Sequence, residues 1–157
     1  ELIEEGQNFK VIVDYAHTPD SMEAVYGSLK PKLAVGAKLI CVFGATGGGR
    51  DKWKRPEYGK IAERYCDEII LTNEDSYDEK PEEILNQISS GFSRAQNCFK
   101  IIDRRGAIKK GVSLAKEGDI VVITGKGSES TMMIAGGQKI PFDDRAVARE
   151  ALQNFKI

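Results

Sequence analysis

The sequence predicts an α/β fold: a doubly wound, mostly parallel sheet, closed by a C-terminal β-hairpin and a final helix. Three observations carry this. Five short runs, at 10–13, 38–43, 68–71, 99–102 and 119–124, are nearly continuous in Val, Ile, Leu and Phe, as strands covered on both faces are. Amphipathic helical stretches lie between them, and helix-start residues follow each run closely. Alternation of this kind gives parallel strands joined by right-handed crossovers.

After the first run, Thr18 can cap a helix and Pro19 suits its first position, with Met22, Val25, Tyr26 and Leu29 at i, i+3, i+4 and i+7. A second helix is expected from Pro56, placing Tyr58, Ile61, Ala62 and Tyr65 on one face. A third is expected from Pro81, with Ile84, Leu85, Ile88 and Phe92 inward. Asp103 can cap a fourth, around Ile108, Val112 and Ala115. Beyond the last parallel run, 131–135 and 138–142 flank Gly136-Gly137, a hairpin signal. Asp143 then caps a closing helix that packs Ala148, Ala151, Leu152 and Phe155. No repeat, linker or low-complexity segment interrupts the pattern, so 1–157 reads as a single Rossmann-like domain.

At 157 residues, the chain can bury roughly two-thirds of its unfolded surface. With 23 basic and 24 acidic residues, charge gives no general attraction to nucleic acid or an anionic membrane, so any anion site must be local. No apolar run approaches the roughly 20 residues that span a bilayer, and the opening residues Glu1 to Glu5 lack the basic start of a signal peptide. Cys41, Cys66 and Cys98 are far apart in apolar surroundings, which reads as separate buried thiols in a reducing cytoplasm.

The right-handed crossovers bring four polar clusters to one sheet edge: 14–20, 44–55, 72–79 and 125–130. Gly44, Gly47, Gly48 and Gly49 could serve only a tight turn. Followed by Arg50, Lys52, Lys54 and Arg55, they fit better with backbone amides and cations facing an anion. The spacing matches neither a Walker loop nor Gly-x-Gly-x-x-Gly. His17 is the only histidine, either a turn residue or the route for any imidazole chemistry. Lys126, between Gly125 and Gly127 with Glu129 nearby, suggests close approach to a ligand or else a flexible loop. The acidic run 74–79 could be a solvated loop or could hold an ammonium group.

Taken together, Asp14-Tyr15-Ala16-His17-Thr18-Pro19-Asp20, Phe43-Gly44, Arg50-Asp51-Lys52-x-Lys54-Arg55-Pro56, Gly125-Lys126-Gly127-x-Glu129 and Asp143-Asp144-Arg145 resemble the C-terminal domain of the Mur ligases. The likeness runs from about Phe9 to the end, and is greatest to the branch that adds the third amino acid to UDP-N-acetylmuramoyl-dipeptide. It implies part of a three-domain, ATP-dependent amide ligase of peptidoglycan synthesis. In that chemistry the peptide carboxylate is phosphorylated by ATP, and the amine of the incoming amino acid attacks the acyl phosphate. The UDP-sugar domain and the central ATPase domain, with its Walker lysine and Mg2+ ligands, have no counterpart in this chain. The isolated domain is therefore expected to be inactive, with ATP and Mg2+ shared with the central domain. A cytoplasmic monomer is expected, serving as a lid that completes the ATP site and binds the amino acid.

By position, the resemblance puts Asp14 and His17 on the nucleotide side and Lys52 at the ATP phosphates. Arg50 would grip the amino acid's carboxylate, with Gly125 and Glu129 lining its pocket. The glycine run departs from the family's Gly-Gly-Asp. Where members that add diaminopimelate carry Asp-Asn-Pro-Arg, this chain has Glu74, Asp75, Ser76 and Tyr77. The missing arginine favours a lysine-like amino acid over meso-diaminopimelate, since a second carboxylate would meet like charge. Folylpolyglutamate and cyanophycin-type ligases share the Asp-x-Ala-His motif but not the two later motifs. The pattern is also compatible with a free-standing small-molecule or nucleotide module, whereas a nicotinamide oxidoreductase domain is opposed by the glycine spacing.

Overall fold

The computed structural model describes residues 1–94 and 97–155. The strands are β1 (Leu2–Ile3), β2 (Lys10–Asp14), β3 (Leu39–Phe43), β4 (Glu68–Leu71), β5 (Cys98–Lys100) and β6 (Ile120–Thr124), followed by the hairpin strands β7 (Thr131–Met133) and β8 (Lys139–Pro141). The helices are α1 (Pro19–Leu29), α2 (Lys54–Tyr65), α3 (Pro81–Ser89), α4 (Arg104–Leu114) and α5 (Asp144–Gln153). The main sheet runs β1-β2-β6-β3-β4-β5, parallel throughout except for β1. β1 is too short to leave an alternation in the sequence, and it pairs antiparallel with β2 at the edge.

Every residue of β3 and β6 is buried, because both strands lie in the interior of the sheet and carry helices on both faces. Leu39, Cys41 and Phe43 face α1, α2 and α3, packing with Met22, Tyr26, Ile61, Ala62, Leu85 and Ile88. Ile40 and Val42 point the other way, into Ala107, Ile108, Val112, Ala148 and Leu152 of α4 and α5. β5, at the far edge, is only half covered.

The expected caps form. Thr18 accepts from Ser21 N in a capping box, Asp103 accepts from Arg105 N and Gly106 N, and Asp143 accepts from Arg145 N. α2 starts two residues before Pro56, at Lys54, so the proline occupies the first turn, where its missing N–H costs nothing. The cysteine expectation is corrected. Cys41 of β3 and Cys66, the residue ending α2, form a disulfide across a separation of 25 residues. Cys98 alone stays free, half-buried. The pairing is invisible in the sequence because it arises when α2 returns along the face of the strand that precedes it.

Candidate functional site

All four polar clusters reach the carboxyl ends of the parallel strands, but the structure divides them between separate hollows. The first is a cleft of about 280 Å³. It lies between the turn after β2 and the loop joining β3 to α2, with His17, Thr18, Thr46, Arg50, Lys54, Arg55 and Tyr58 on its walls. Arg50 is exposed, with no acidic partner among the described residues. Arg55 is fully buried: its guanidinium donates to both oxygens of Glu79 (2.8 and 2.9 Å), to Gln87 Oε1 (2.7 Å) and to Thr46 O (3.0 Å). Its Nε, also buried, has no acceptor in the protein. His17 is held by its surroundings rather than free: Nδ1 lies 2.9 Å from Tyr15 O, the ring packs 4.6 Å from that of Tyr15, and the backbone carbonyl accepts from Tyr58 Oη at 2.7 Å. Burial, then Glu74 and Asp51, pushes the Tyr58 phenol up to about 12, so it remains a donor.

Glu79 closes one side. It accepts from Arg55 and from Gly49 N (2.5 Å), and Lys52 Nζ lies 3.6 Å away. These contacts, with Arg55 foremost, pull its carboxyl down to about 2. Lys52, expected at a phosphate, thus faces Glu79 and is not on the cleft wall, where Lys54 and Arg55 stand instead. The glycine amides also differ from expectation. Gly47 N donates to Asp75 O (2.7 Å) and Gly49 N to Glu79, so these two amides serve the protein. Of the side-chain cations on the cleft wall, Arg55 is paired with Glu79 and Lys54 with Asp51, which also lines the cleft (3.0 Å), so among the described residues Arg50 is the one left without an acidic partner. Gly47 is required by close approach: a Cβ there would stand 2.0 Å from Ser76 O.

The second hollow, about 490 Å³, lies between the loop after β4 and the hairpin β7–β8, lined by Asp75, Tyr77, Glu129, Met133 and Lys139 among others. Lys126, 1% exposed, donates to Asp75 Oδ1 (2.9 Å) and Glu129 Oε2 (2.7 Å). Burial alone would lower its pKa, but the two carboxylates outweigh burial and raise it. The acidic loop is not a free anionic patch. Asp75 also accepts from Met133 N (2.8 Å), Asp78 accepts from Gly136 N (2.8 Å), and Glu79 belongs to Arg55. Glu74 is buried, its pKa raised by that burial, and it lies against Gly125, whose φ of +114° and absent Cβ make room for the carboxylate. Ser76 is buried too, and Tyr77 adopts φ +51°.

Asp14 lines neither hollow. It accepts from Ala16 N (2.9 Å) and borders a third, smaller hollow with Tyr15, Gly127 and Arg145. Behind the loops, Arg104 and Asp144 form a wholly buried pair, with Nε to Oδ1 at 2.8 Å and an NH2 nitrogen to Oδ2 at 2.7 Å. Arg104 also donates to Thr124 O and Asn73 O, tying the ends of β6 and β4 to α5. No motif in the sequence marks Arg104 for this role. Among the described residues, no three His, Cys, Asp or Glu side chains converge as metal ligands.

A doubly wound sheet carrying a polar cleft and an ion-paired hollow along its carboxyl edge defines an α/β domain with its candidate ligand sites where such sheets hold them. The chain belongs to the Mur ligase family: the model described as "Mur ligase, glutamate ligase domain" matches residues 1–127. It is 50% identical over 147 residues to a UDP-N-acetylmuramoyl-L-alanyl-D-glutamate–2,6-diaminopimelate ligase of Aquifex aeolicus, covering 94% of this chain and 30% of that protein. It is 43% identical over 155 residues to a UDP-N-acetylmuramyl-tripeptide synthetase of Treponema denticola, covering 96% and 29%. A solved diaminopimelate ligase superposes with a TM-score of 0.89 at 36% identity, over 98% of this chain and 31% of that one. A bifunctional folylpolyglutamate synthase from Yersinia pestis, at 0.57 and 16% identity, shares the fold alone. The chain thus spans about a third of the length of these relatives. No helix among the described residues is long and apolar enough to cross a membrane.

Proposed function

We propose that this chain is the amino-acid-receiving domain of a cytoplasmic, monomeric ligase that joins a diamino acid to UDP-N-acetylmuramoyl-dipeptide with ATP. The observation that carries the reading is Arg50, an exposed cation on the cleft wall with no acidic partner among the described residues, beside Lys54 and Arg55, which are held by Asp51 and Glu79. Such a wall suits a carboxylate or a phosphate, and a guanidinium fork binds either through two hydrogen bonds. ATP supplies the activation of the peptide carboxylate. The residues of this chain orient the incoming amino acid and screen the charge around it. Arg50 grips its carboxylate, Gly125 and Glu129 border its pocket, and His17 and Asp14 face the nucleotide from the turn after β2. Lys52, half exposed and 3.6 Å from Glu79, keeps donors free for a phosphate. Mg2+ and the phosphate cradle fall to a separate ATPase domain, since these 157 residues carry no Walker motif.

In the complete ligase, Arg50→Ala should raise the amino-acid KM about ten- to a hundredfold, the worth of a charge-assisted bidentate contact. The KM for the UDP-dipeptide should stay within about twofold of its original value. Steady-state kinetics with each substrate varied in turn is the test. An amino-acid KM that does not move would place Arg50 on something else, and ATP hydrolysis by the 157-residue chain alone would refute the division of labour.

A further inference from the structure

Among the described residues Arg50 has no ion pair to hold it, so its place on the cleft wall depends on its backbone, and the three residues before it are glycines. Such a run is the most permissive stretch a chain can carry. The loop after β4 restrains it. Gly47 N donates to Asp75 O (2.7 Å) and Gly49 N to Glu79 Oε1 (2.5 Å), and between these two ties the ring of Tyr77 lies against Gly48, where a β-carbon would meet Cδ2 at 3.5 Å and Cε2 at 4.0 Å. We infer that Tyr77 is a positioning residue for Arg50: its ring clamps the glycine run, so that the guanidinium is already in place when the carboxylate of the amino acid arrives. The inference rests on the ligase reading above.

Tyr77 is held there at a conformational cost. Its φ of +51° lies in a region that a bulky side chain rarely enters, and such a residue persists only where its neighbours over-determine it. They do so on both sides. Asp75 accepts from Gly47 N through its carbonyl and from Met133 N and Lys126 through its carboxylate, Asp78 Oδ1 accepts from Gly136 N at 2.8 Å, and Glu79 N donates to Ser76 O at 3.1 Å across the turn. Glycine would follow this backbone without strain, and what it would lack is the ring. On the far side of Arg50, the carbonyl of Asp51 accepts from Lys54 N (2.9 Å) and its carboxylate holds Lys54 Nζ at 3.0 Å. The first turn of α2 therefore fixes one end of Arg50, and the clamp on the glycines fixes the other. Without the ring, Gly48 is freed and Arg50 samples positions that must be given up on binding, an ordering cost that appears in substrate affinity. Residue 77 thus acts through Arg50 rather than by touching the amino acid itself.

The test uses the complete ligase, as the natural protein and as Tyr77→Ala, Tyr77→Gly and Tyr77→Phe, each with and without Arg50→Ala, assayed with meso-2,6-diaminopimelate and with L-lysine. Tyr77→Ala and Tyr77→Gly should raise the KM of the amino acid that is turned over about three- to tenfold, the cost of ordering one long side chain on binding, with the UDP-dipeptide KM moving less than about twofold. Tyr77→Phe, which keeps the ring, should recover most of the loss. In the Arg50→Ala background the same changes should add less than about twofold, since the group they position is gone. Glycine accepts a φ of +51° where alanine resists it, so Tyr77→Gly should melt above Tyr77→Ala while sharing its KM, which separates positioning from folding. An amino-acid KM that the Ala and Gly variants leave unmoved, a loss of equal size with Arg50 absent, or a KM that follows the melting temperature overturns this assignment alone. If Arg50→Ala itself leaves the amino-acid KM unmoved, or no amino acid supports turnover that depends on the UDP-dipeptide, the reading beneath it falls and this one with it.

Discussion

Glu79 offers the most direct physical test of how the cationic cleft is held together. Its carboxylate accepts two hydrogen bonds from Arg55 and one from Gly49 N, with Lys52 nearby, and these contacts lower its pKa from 4.5 to about 2. A folded-state pKa below the unfolded value means that the ionised form stabilises the fold. That stability is fully present above about pH 4.5 and is lost as the pH falls through about 2. The displacement corresponds to about 3 kcal/mol, and a side chain 17% exposed loses some of that to solvent screening, leaving about 2–3 kcal/mol. Against a total of about 5–15 kcal/mol for a domain, this is a measurable share. Glu79→Gln should therefore lower stability by about that amount at pH 7 and flatten the part of the pH dependence between about pH 5 and 2. Urea denaturation at about pH 7, 5, 4 and 3, read by circular dichroism for both proteins, decides the matter. If the two curves fall in parallel with acidification, Glu79 is not the titrating clamp described here.

Two further outcomes are expected. Asp144→Asn, which strands Arg104 in a dry interior, should cost about 3–5 kcal/mol, whereas the paired change Arg104→Met with Asp144→Leu should cost far less. Denaturation midpoints for the single and double variants test this, and additive losses would refute it. Opening the Cys41–Cys66 bond, which closes a loop of 25 residues, should lower stability by about 3 kcal/mol on chain-entropy grounds. Thiol alkylation with mass spectrometry, alongside denaturation with and without dithiothreitol, checks it, and an unshifted midpoint would show that the bond adds nothing.

What the sequence reveals and what it hides divides along a physical line. Thr18, Asp103 and Asp143 announce their helices because a cap acts within three residues of itself, and β3 and β6 announce theirs because burial on both faces leaves an unbroken apolar run. The sheet edge that carries the site follows from the same pattern. Lys139, by contrast, looks in sequence like a solvated hairpin residue, and only the pinning of that hairpin to Asp75 and Asp78 brings it to a hollow. Arg55 sits in the basic cluster without any mark that it alone becomes buried. Cys41 and Cys66 meet for the same reason, through a crossover. The partners of the acidic loop stay hidden in the sequence because composition counts charges but not the groups that meet them.

The order β2-β6-β3 in the sheet carries a consequence for how the chain comes to exist. The last parallel strand made is not added at an edge. It is inserted between two strands that are finished well before it, with most of the helices lying between. Until Ile120–Thr124 arrives, β2 and β3 have no ladder joining them, and the turn bearing His17 is tied to the side bearing Arg50 only by the packing of α1 on α2 and the Tyr58–His17 hydrogen bond. On a ribosome, the two sides of the cleft therefore wait for the centre of the sheet before their backbones are locked together. Contacts so distant along the chain form slowly. The apolar flanks of β2 and β3 stay open to other chains during that interval, a vulnerability that the finished fold, with both strands in its interior, no longer shows.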